Sequence, residues 1–241
     1  MADMLKVDGL KVHFPIKKGI FARTVGYVKA VDGVSFVLRR GETLGVVGES
    51  GSGKSTIARV VCGLVAATEG SVELGGRVAM VFQDPQGSLN PRQNVETALS
   101  EVLRISGMRR SPKELMTMVG LGEDALLKYP HEFSGGERQR ICIARAIAAD
   151  PQLLICDEAV SALDLSIRSQ ILELINELKR KLGLSILFIT HDLGVVKCIA
   201  SSIIVMKNGR IVERGECNEV LASPTEEYTR RLIAAVPRVI G

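Results

Sequence analysis

An apolar run at Thr43–Val47 leads directly into Gly48-Glu49-Ser50-Gly51-Ser52-Gly53-Lys54-Ser55-Thr56. Apolar residues then recur at helical spacing: Ile57, Val60, Val61 and Leu64. A short buried strand, a glycine-rich loop and a helix, in that order, are the parts of a parallel α/β sheet with the loop at the strand's carboxyl end. The nine loop residues fit G-x-x-x-x-G-K-[ST]. Chemistry follows from that spacing. The glycines let backbone N–H groups approach phosphate oxygens, Lys54 reaches the β and γ oxygens, and the Ser55 hydroxyl can ligate Mg²⁺. A glycine-rich surface turn is the plainer reading of such a stretch, and the flanking strand and helix weaken it.

The rest of the chain extends the same alternation. Period-2 apolar patterns predict strands over residues 5–14 and 30–38. Residues 16–28, with Lys17-Lys18-Gly19 and Gly26, read as an exposed loop. Strands are expected over 71–74 and 77–82, a turn-rich segment over 85–91, and a mostly helical insertion over 94–129. A helix over 137–149 ends at Asp150-Pro151 and precedes a buried strand at 153–156. The amphipathic stretch 168–182 ends at Gly183. A strand at Ser185–Thr190, a hairpin around Asn208-Gly209 and a last helix over 226–235 complete an α/β core.

Composition narrows the function classes. The 241 residues are 46% hydrophobic, enough for a large core. There is no Trp, and the net charge is only +4, so nothing marks a base-stacking or nucleic-acid surface. Five scattered cysteines (Cys62, Cys142, Cys156, Cys198, Cys217) form no C-x-x-C pair and read as reduced thiols. No apolar run reaches the roughly 18 residues of a membrane span. Met1-Ala2-Asp3-Met4-Leu5-Lys6 lacks the apolar region of a secretory leader. A role at a membrane would therefore run through a partner.

Four further positions along the chain carry chemistry. In Phe133-Ser134-Gly135-Gly136-Glu137-Arg138-Gln139-Arg140, a hydroxyl and two glycines open a helix, making a second nest of N–H groups. One nucleotide does not need two such nests, so this one is expected to serve a nucleotide held by another copy or a partner. Leu153-Leu154-Ile155-Cys156 ends in Asp157-Glu158. After a phosphate loop, Asp157 is suited to hold Mg²⁺ and Glu158 to polarise the attacking water. Gln83 follows a strand, and an amide there can reach Mg²⁺ and that water. Taken alone it is an ordinary turn-capping Gln. His191 follows Ser185–Thr190 and can contact a γ-phosphate, although a lone His is more often a surface or satisfied core residue. His13 and His131 take that plainer reading.

The order Gly48–Thr56, Gln83, Ser134-Gly135-Gly136-Glu137, Asp157-Glu158, Ser161-Ala162-Leu163-Asp164, His191 resembles the ATP-binding subunit of ABC transporters in every motif. The resemblance covers essentially the whole chain. It implies a RecA-like P-loop NTPase core, an N-terminal antiparallel β subdomain (about 1–40 and 70–80) and a helical signature-motif subdomain (about 86–140). It also implies a head-to-tail dimer with a second ATPase subunit, itself or a paralogue. Each of two ATPs would lie between one subunit's phosphate loop and the other's signature segment. Glu158 would be the base, His191 the γ-phosphate contact and Asp164 part of the loop crossing the interface. Gln83 would link Mg²⁺ to a permease. An aromatic should stack on adenine: Phe14 if 16–28 is an insertion, otherwise Tyr27.

Finer similarity is to the oligopeptide, dipeptide and nickel import branch. It rests on Lys29-Ala30-Val31-Asp32-Gly33-Val34-Ser35-Phe36, Phe82-Gln83-Asp84-Pro85 with Ser88-Leu89-Asn90-Pro91, and Ser223-Pro224-Thr225 with Tyr228. That branch implies two membrane permease subunits, an extracytoplasmic solute-binding protein, no nucleic acid, and a peripheral seat on the cytoplasmic face of the membrane. The chain departs from the pattern in three ways. Glu137 replaces the commoner Gln and brings a negative charge toward the partner's nucleotide. The segment between Leu74 and Arg77 is short, so one hairpin is trimmed. The cysteine-bearing tail of many peptide-import ATPases is not present before Gly241, which tilts the expected cargo toward nickel or another small solute. The competing readings are a soluble ABC ATPase of DNA repair or the ribosome, and a non-hydrolysing nucleotide binder.

Overall fold

The computed structural model describes residues 2–19 and 23–235. In chain order the first elements are β1 (Asp3–Lys18), β2 (Arg23–Arg39), β3 (Thr43–Val47), α1 (Lys54–Val61) and β4 (Glu69–Leu74). Then come β5 (Val78–Val81), α2 (Pro85–Ser88), α3 (Val95–Ser106), α4 (Pro112–Met118), α5 (Gly135–Ala148), β6 (Leu153–Asp157) and α6 (Leu165–Leu182). The last are β7 (Ser185–Thr190), α7 (Leu193–Ile199), β8 (Ser202–Lys207), β9 (Arg210–Glu216), α8 (Cys217–Ala222) and α9 (Glu227–Ala234). The chain divides into two compact units, Met1–Gly75 with Phe188–Gly241, and Gly76–Leu187. It crosses back from the second to the first within β7.

In the first unit β2, β1 and β4 form an antiparallel sheet in that order. Leu5, Val7, Leu10 and Val12 of β1 are buried beside Val31, Val34, Phe36 and Leu38 of β2, the inward half of the alternation that the sequence displays. A separate set of strands begins with β3. Every residue of β3 is buried, and it pairs in parallel with β8. β9 returns antiparallel to β8 through Asn208-Gly209, whose φ angles of 49° and 78° are those of a tight two-residue turn. α7 escaped the sequence reading because it is only seven residues long. Its start is written in Asp192, whose Oδ1 accepts from the N–H groups of Gly194 (2.9 Å) and Val195 (3.3 Å).

Residues 16–18 and 23–28 are strand, not loop. β1 runs through Lys18 and β2 starts at Arg23, with Ile16 opposite Gly26 and Lys17 opposite Thr24; residues 20–22 of that stretch lie outside the described residues. The lysines and glycines suggested a break. Thr24, Val25, Tyr27 and Val28 are β-branched or aromatic, however, and extend the hairpin against Phe14 and Ile16.

In the second unit β5 pairs in parallel with β6 and is not part of the β2–β1–β4 sheet. Residues 94–129 fold as α3, α4 and a short 3₁₀ turn at Glu123–Leu127. α3 is capped by Asn94 accepting from Thr97, and α4 by a reciprocal Ser111–Glu114 pair. α5 is buried along its length, with Ile141, Ile143, Ala144, Ile147 and Ala148 all inaccessible. α6 buries Ile171, Leu174, Ile175 and Leu178 on one stripe and ends at Gly183, φ 66°. It starts at Leu165, three residues before the apolar periodicity becomes visible. Cys142, Cys156 and Cys217 are buried, and all five cysteines are free thiols. Burial pushes the Cys142 thiol up to about 11 and Cys156 to about 12, which leaves both unreactive.

Candidate functional site

In the first unit the loop after β3 wraps the start of α1. Lys54 is only 5% exposed, and its ammonium donates to the carbonyls of Gly48 (2.7 Å) and Glu49 (2.8 Å). The glycines are dictated by close approach as well as by dihedral. A Cβ on Gly48 (φ 150°) would lie 2.2 Å from the Met206 carbonyl oxygen. One on Gly53 (φ 105°) would lie 2.2 Å from that of Ala30. Ser52 is buried, and its N–H donates to the Glu49 carbonyl at 3.2 Å. Glu49, Ser50 and Gly51 lie on the exposed outer turn, while Ser55 and Thr56 open α1.

Tyr228 of α9 is a member of this site that sequence reasoning missed as such. Its hydroxyl accepts the Glu49 N–H at 3.1 Å, and Lys207 lies 4.7 Å over its ring. Nothing in a spacing of 179 residues signals that contact. His191 is exposed at the end of β7. The turn that presents it is fixed by Asp192, whose N–H donates to the Thr190 hydroxyl at 3.0 Å while its carboxylate caps α7. Phe14 (42% exposed) pairs with Val28 and shares the inward face of β1 with Leu10 and Val12. Tyr27 (62% exposed) pairs with Pro15, on the other face.

In the second unit Asp157 closes β6 and is 6% exposed; Glu158 follows at 9%. Glu158 has φ 53°, a left-handed conformation that costs a non-glycine residue on the order of 1 kcal/mol. The turn holds it there, since Ser161 donates to the Glu158 carbonyl from both its N–H (3.1 Å) and its hydroxyl (2.9 Å). Strain of this kind concentrates where a side chain must point one way. Gln83 is exposed just beyond β5, next to Asp84, whose carboxylate takes the Gln86 N–H and starts α2.

Ser134 caps α5. The Glu137 N–H donates to the Ser134 hydroxyl oxygen at 3.3 Å. In return the Ser134 N–H and hydroxyl donate to the Glu137 carboxylate at 2.8 and 2.7 Å. These bonds hold the Glu137 carboxyl below the usual carboxylate range. The unusual Glu therefore has a local reason: Ser134-Gly135-Gly136-Glu137 is itself an S-x-x-E capping box, a signal present in the sequence. Gly136 is required by space, because a Cβ would sit 2.7 Å from Cγ2 of Ile167 in α6. A Cβ on Gly135 would be 3.9 Å from Leu163. The glycine pair and the loop at Ser161–Asp164 thus form one surface, where Asp164 is exposed and its carbonyl accepts the Arg168 N–H at 2.8 Å.

A parallel strand feeding a phosphate loop and helix, with a second strand ending in buried acids, defines an α/β P-loop NTPase. The comparisons agree and are more specific. The family model "ABC transporter" matches residues 31–161. The oligopeptide transport ATP-binding protein OppF of Salmonella typhimurium is 46% identical over 97% of this chain and 78% of its own length. The OppF of Escherichia coli is 47% identical over the same shares. The glutathione import ATP-binding protein GsiA of Salmonella choleraesuis is 44% identical over 97% of this chain and 41% of its own. Among solved structures, a dimeric ATP-binding cassette in a post-hydrolysis state with ADP and phosphate superposes with a TM-score of 0.74. It is 25% identical and covers 89% of this chain and 99% of that one. The chain belongs to the ABC transporter family, as an ATP-binding, ATP-hydrolysing subunit related to the import branch. Among the described residues no helix is long and apolar enough to cross a membrane.

Proposed function

We propose that this chain powers import of peptides, seated peripherally on the cytoplasmic face of the membrane against two permease subunits, with an extracytoplasmic binding protein delivering the cargo. The observation that carries the cargo class is the 46% identity to an oligopeptide transport subunit across 97% of the chain. None of the three relatives described above is named for nickel.

The phosphates of ATP lie on the amides of the loop at Gly48-Glu49-Ser50-Gly51-Ser52-Gly53 and the start of α1, with Lys54 supplying charge to the β and γ oxygens. Phe14, on the inward face of β1 and near the Ala30–Gly53 contact, stacks on adenine in preference to Tyr27. The Ser55 hydroxyl, the Asp157 carboxylate and the Gln83 amide are all oxygen donors. They fit a hard cation that takes few protein ligands, so they would hold Mg²⁺, which neutralises charge on the phosphates when bound. Glu158 accepts the proton of the attacking water. Its buried, fixed backbone supports that assignment. His191 hydrogen-bonds the γ-phosphate. Ser134, Gly135 and Gly136 meet the γ-phosphate of ATP held by a second subunit, a copy of this chain or a paralogue, and Asp164 crosses that interface.

Co-expression with its cognate permeases tests the assignment. ATP turnover by the assembled transporter should rise when peptide-loaded binding protein is added. Stimulation by a nickel chelate and by no peptide would reject the cargo class. Co-purification with nucleic acid instead of permeases would reject transport.

Glu137 gives a second test. Glu137→Gln keeps an oxygen for the capping box and removes one negative charge near the partner's phosphate. In a Glu158→Gln background, the ATP concentration for half-maximal pairing should fall about fivefold, matching ~1 kcal/mol between unit charges about 4 Å apart in water. Light scattering across an ATP titration reads this. Unchanged or weaker pairing would mean the carboxylate does not face the bound nucleotide.

A further inference from the structure

The β8–β9 turn touches the phosphate loop and β2 at once. The Gly209 N–H donates to the Ser52 carbonyl of the loop at 3.0 Å, and the Gly209 carbonyl accepts the Asp32 N–H of β2 at 2.8 Å. Between β1 and β2 the pairing slips. Val12 faces Val31 but His13 faces Lys29, so Ala30 is an extra residue that bulges from β2. The Ala30 carbonyl is pressed toward Gly53 and Gly209. A Cβ on Gly53 would come within 2.2 Å of it, and one on Gly209 within 3.0 Å. Gly209 has φ 78°, so its place in the turn is fixed by dihedral and by space together.

The Asp32 carboxylate closes the ring. Its Oδ2 receives Arg210, the residue after the turn, from Nε at 3.2 Å and from a terminal nitrogen at 2.7 Å. Its Oδ1 lies 3.3 Å from Nε2 of His13 on β1, and Lys29 stands 3.7 Å away. Asp32 is thus bonded to β1, β2 and β9. The Arg210 fork, with the His13 contact beside it, holds its carboxyl below the usual range and keeps it charged. The adenine-stacking candidate Phe14 is the next residue after His13.

We infer that Asp32 and Arg210 form a positioning strap that locks the strand carrying Phe14 in register with the phosphate loop, through the Gly209 turn and the Ala30 bulge. The inference rests on the proposed reading that the loop binds the triphosphate and Phe14 the base. Neither strap residue touches nucleotide. Loosening the strap displaces the base-binding strand and leaves the loop's phosphate amides in place. The strap therefore contributes to the affinity for ATP and not to that for a bare polyphosphate.

Calorimetric titration of the full chain with MgATP and with magnesium tripolyphosphate separates the two. Asp32→Ala and Arg210→Ala should each raise the ATP dissociation constant about tenfold and shift that for tripolyphosphate by less than about twofold. The double variant should be no weaker than Asp32→Ala alone, since that substitution already removes the Arg210 contact. Arg210→Lys should fall between parent and Arg210→Ala, because an ammonium keeps the charge and loses the fork. Arg210 has a 67% exposed side chain, so its truncation carries the test if Asp32→Ala fails to fold. Equal losses for both ligands, or parental ATP binding in Arg210→Ala, would overturn the strap. A Lys54→Ala chain is titrated alongside. If it loses ATP binding while Arg210→Ala does not, the strap fails and the phosphate-loop reading stands. If Lys54→Ala binds ATP as the parent does, the reading beneath the strap fails as well.

Discussion

Lys54→Ala is expected to weaken MgATP binding about a hundredfold, the ~3 kcal/mol at the upper end for a charge-assisted contact. The ammonium sits buried on the Gly48 and Glu49 carbonyls, already at the mouth of the loop, so its ordering cost is met before ATP arrives. Calorimetric titration checks this, and thermal unfolding must be followed in parallel. The same two carbonyls lose their donor in the variant, and loss of binding counts only if the folded state persists. Binding within about twofold of the parent would remove Lys54 from the site.

The larger effect on rate is expected at Glu158. Glu158→Gln keeps the size of the side chain and its backbone turn but cannot take a proton from water. Turnover should drop by at least about a hundredfold, the lower bound for losing a general base, with ATP affinity within about twofold of the parent. Phosphate release under saturating MgATP measures it. A parental rate would show that Glu158 is not the base and that its left-handed backbone has some other cause.

What could be read from the sequence follows physical range. The phosphate loop was legible because β3, the glycines and α1 are contiguous, and local periodicity and spacing carry all of it. β7 is legible because Ile186–Ile189 is a short continuous apolar run after Gly183, which suits a buried strand. The 16–28 stretch reads as a loop in the sequence because charge and glycine at Lys17-Lys18-Gly19 mask the β-branched residues after them, and the strand pairing lies across the hairpin. The local role of Glu137 is legible as the last residue of an S-x-x-E capping box, beside the charge it brings to the surface. Tyr228, Arg210 and Gly209 belong to contacts that span about 150 residues or more. No single-sequence pattern reports contacts at such separation. Ser134 and Asp164 could be paired from motif order, but the reason they share a surface, Gly136 against Ile167, exists only in the packing of α5 on α6.

We propose that this cassette completes its ATP site with a second one. Sedimentation of the Glu158→Gln chain tests it most directly, in nucleotide-free buffer, in MgADP and in MgATP. The account predicts a monomer in the first two and a stable dimer holding two ATP in the third. A monomer at saturating MgATP, with ATP demonstrably bound, would contradict it.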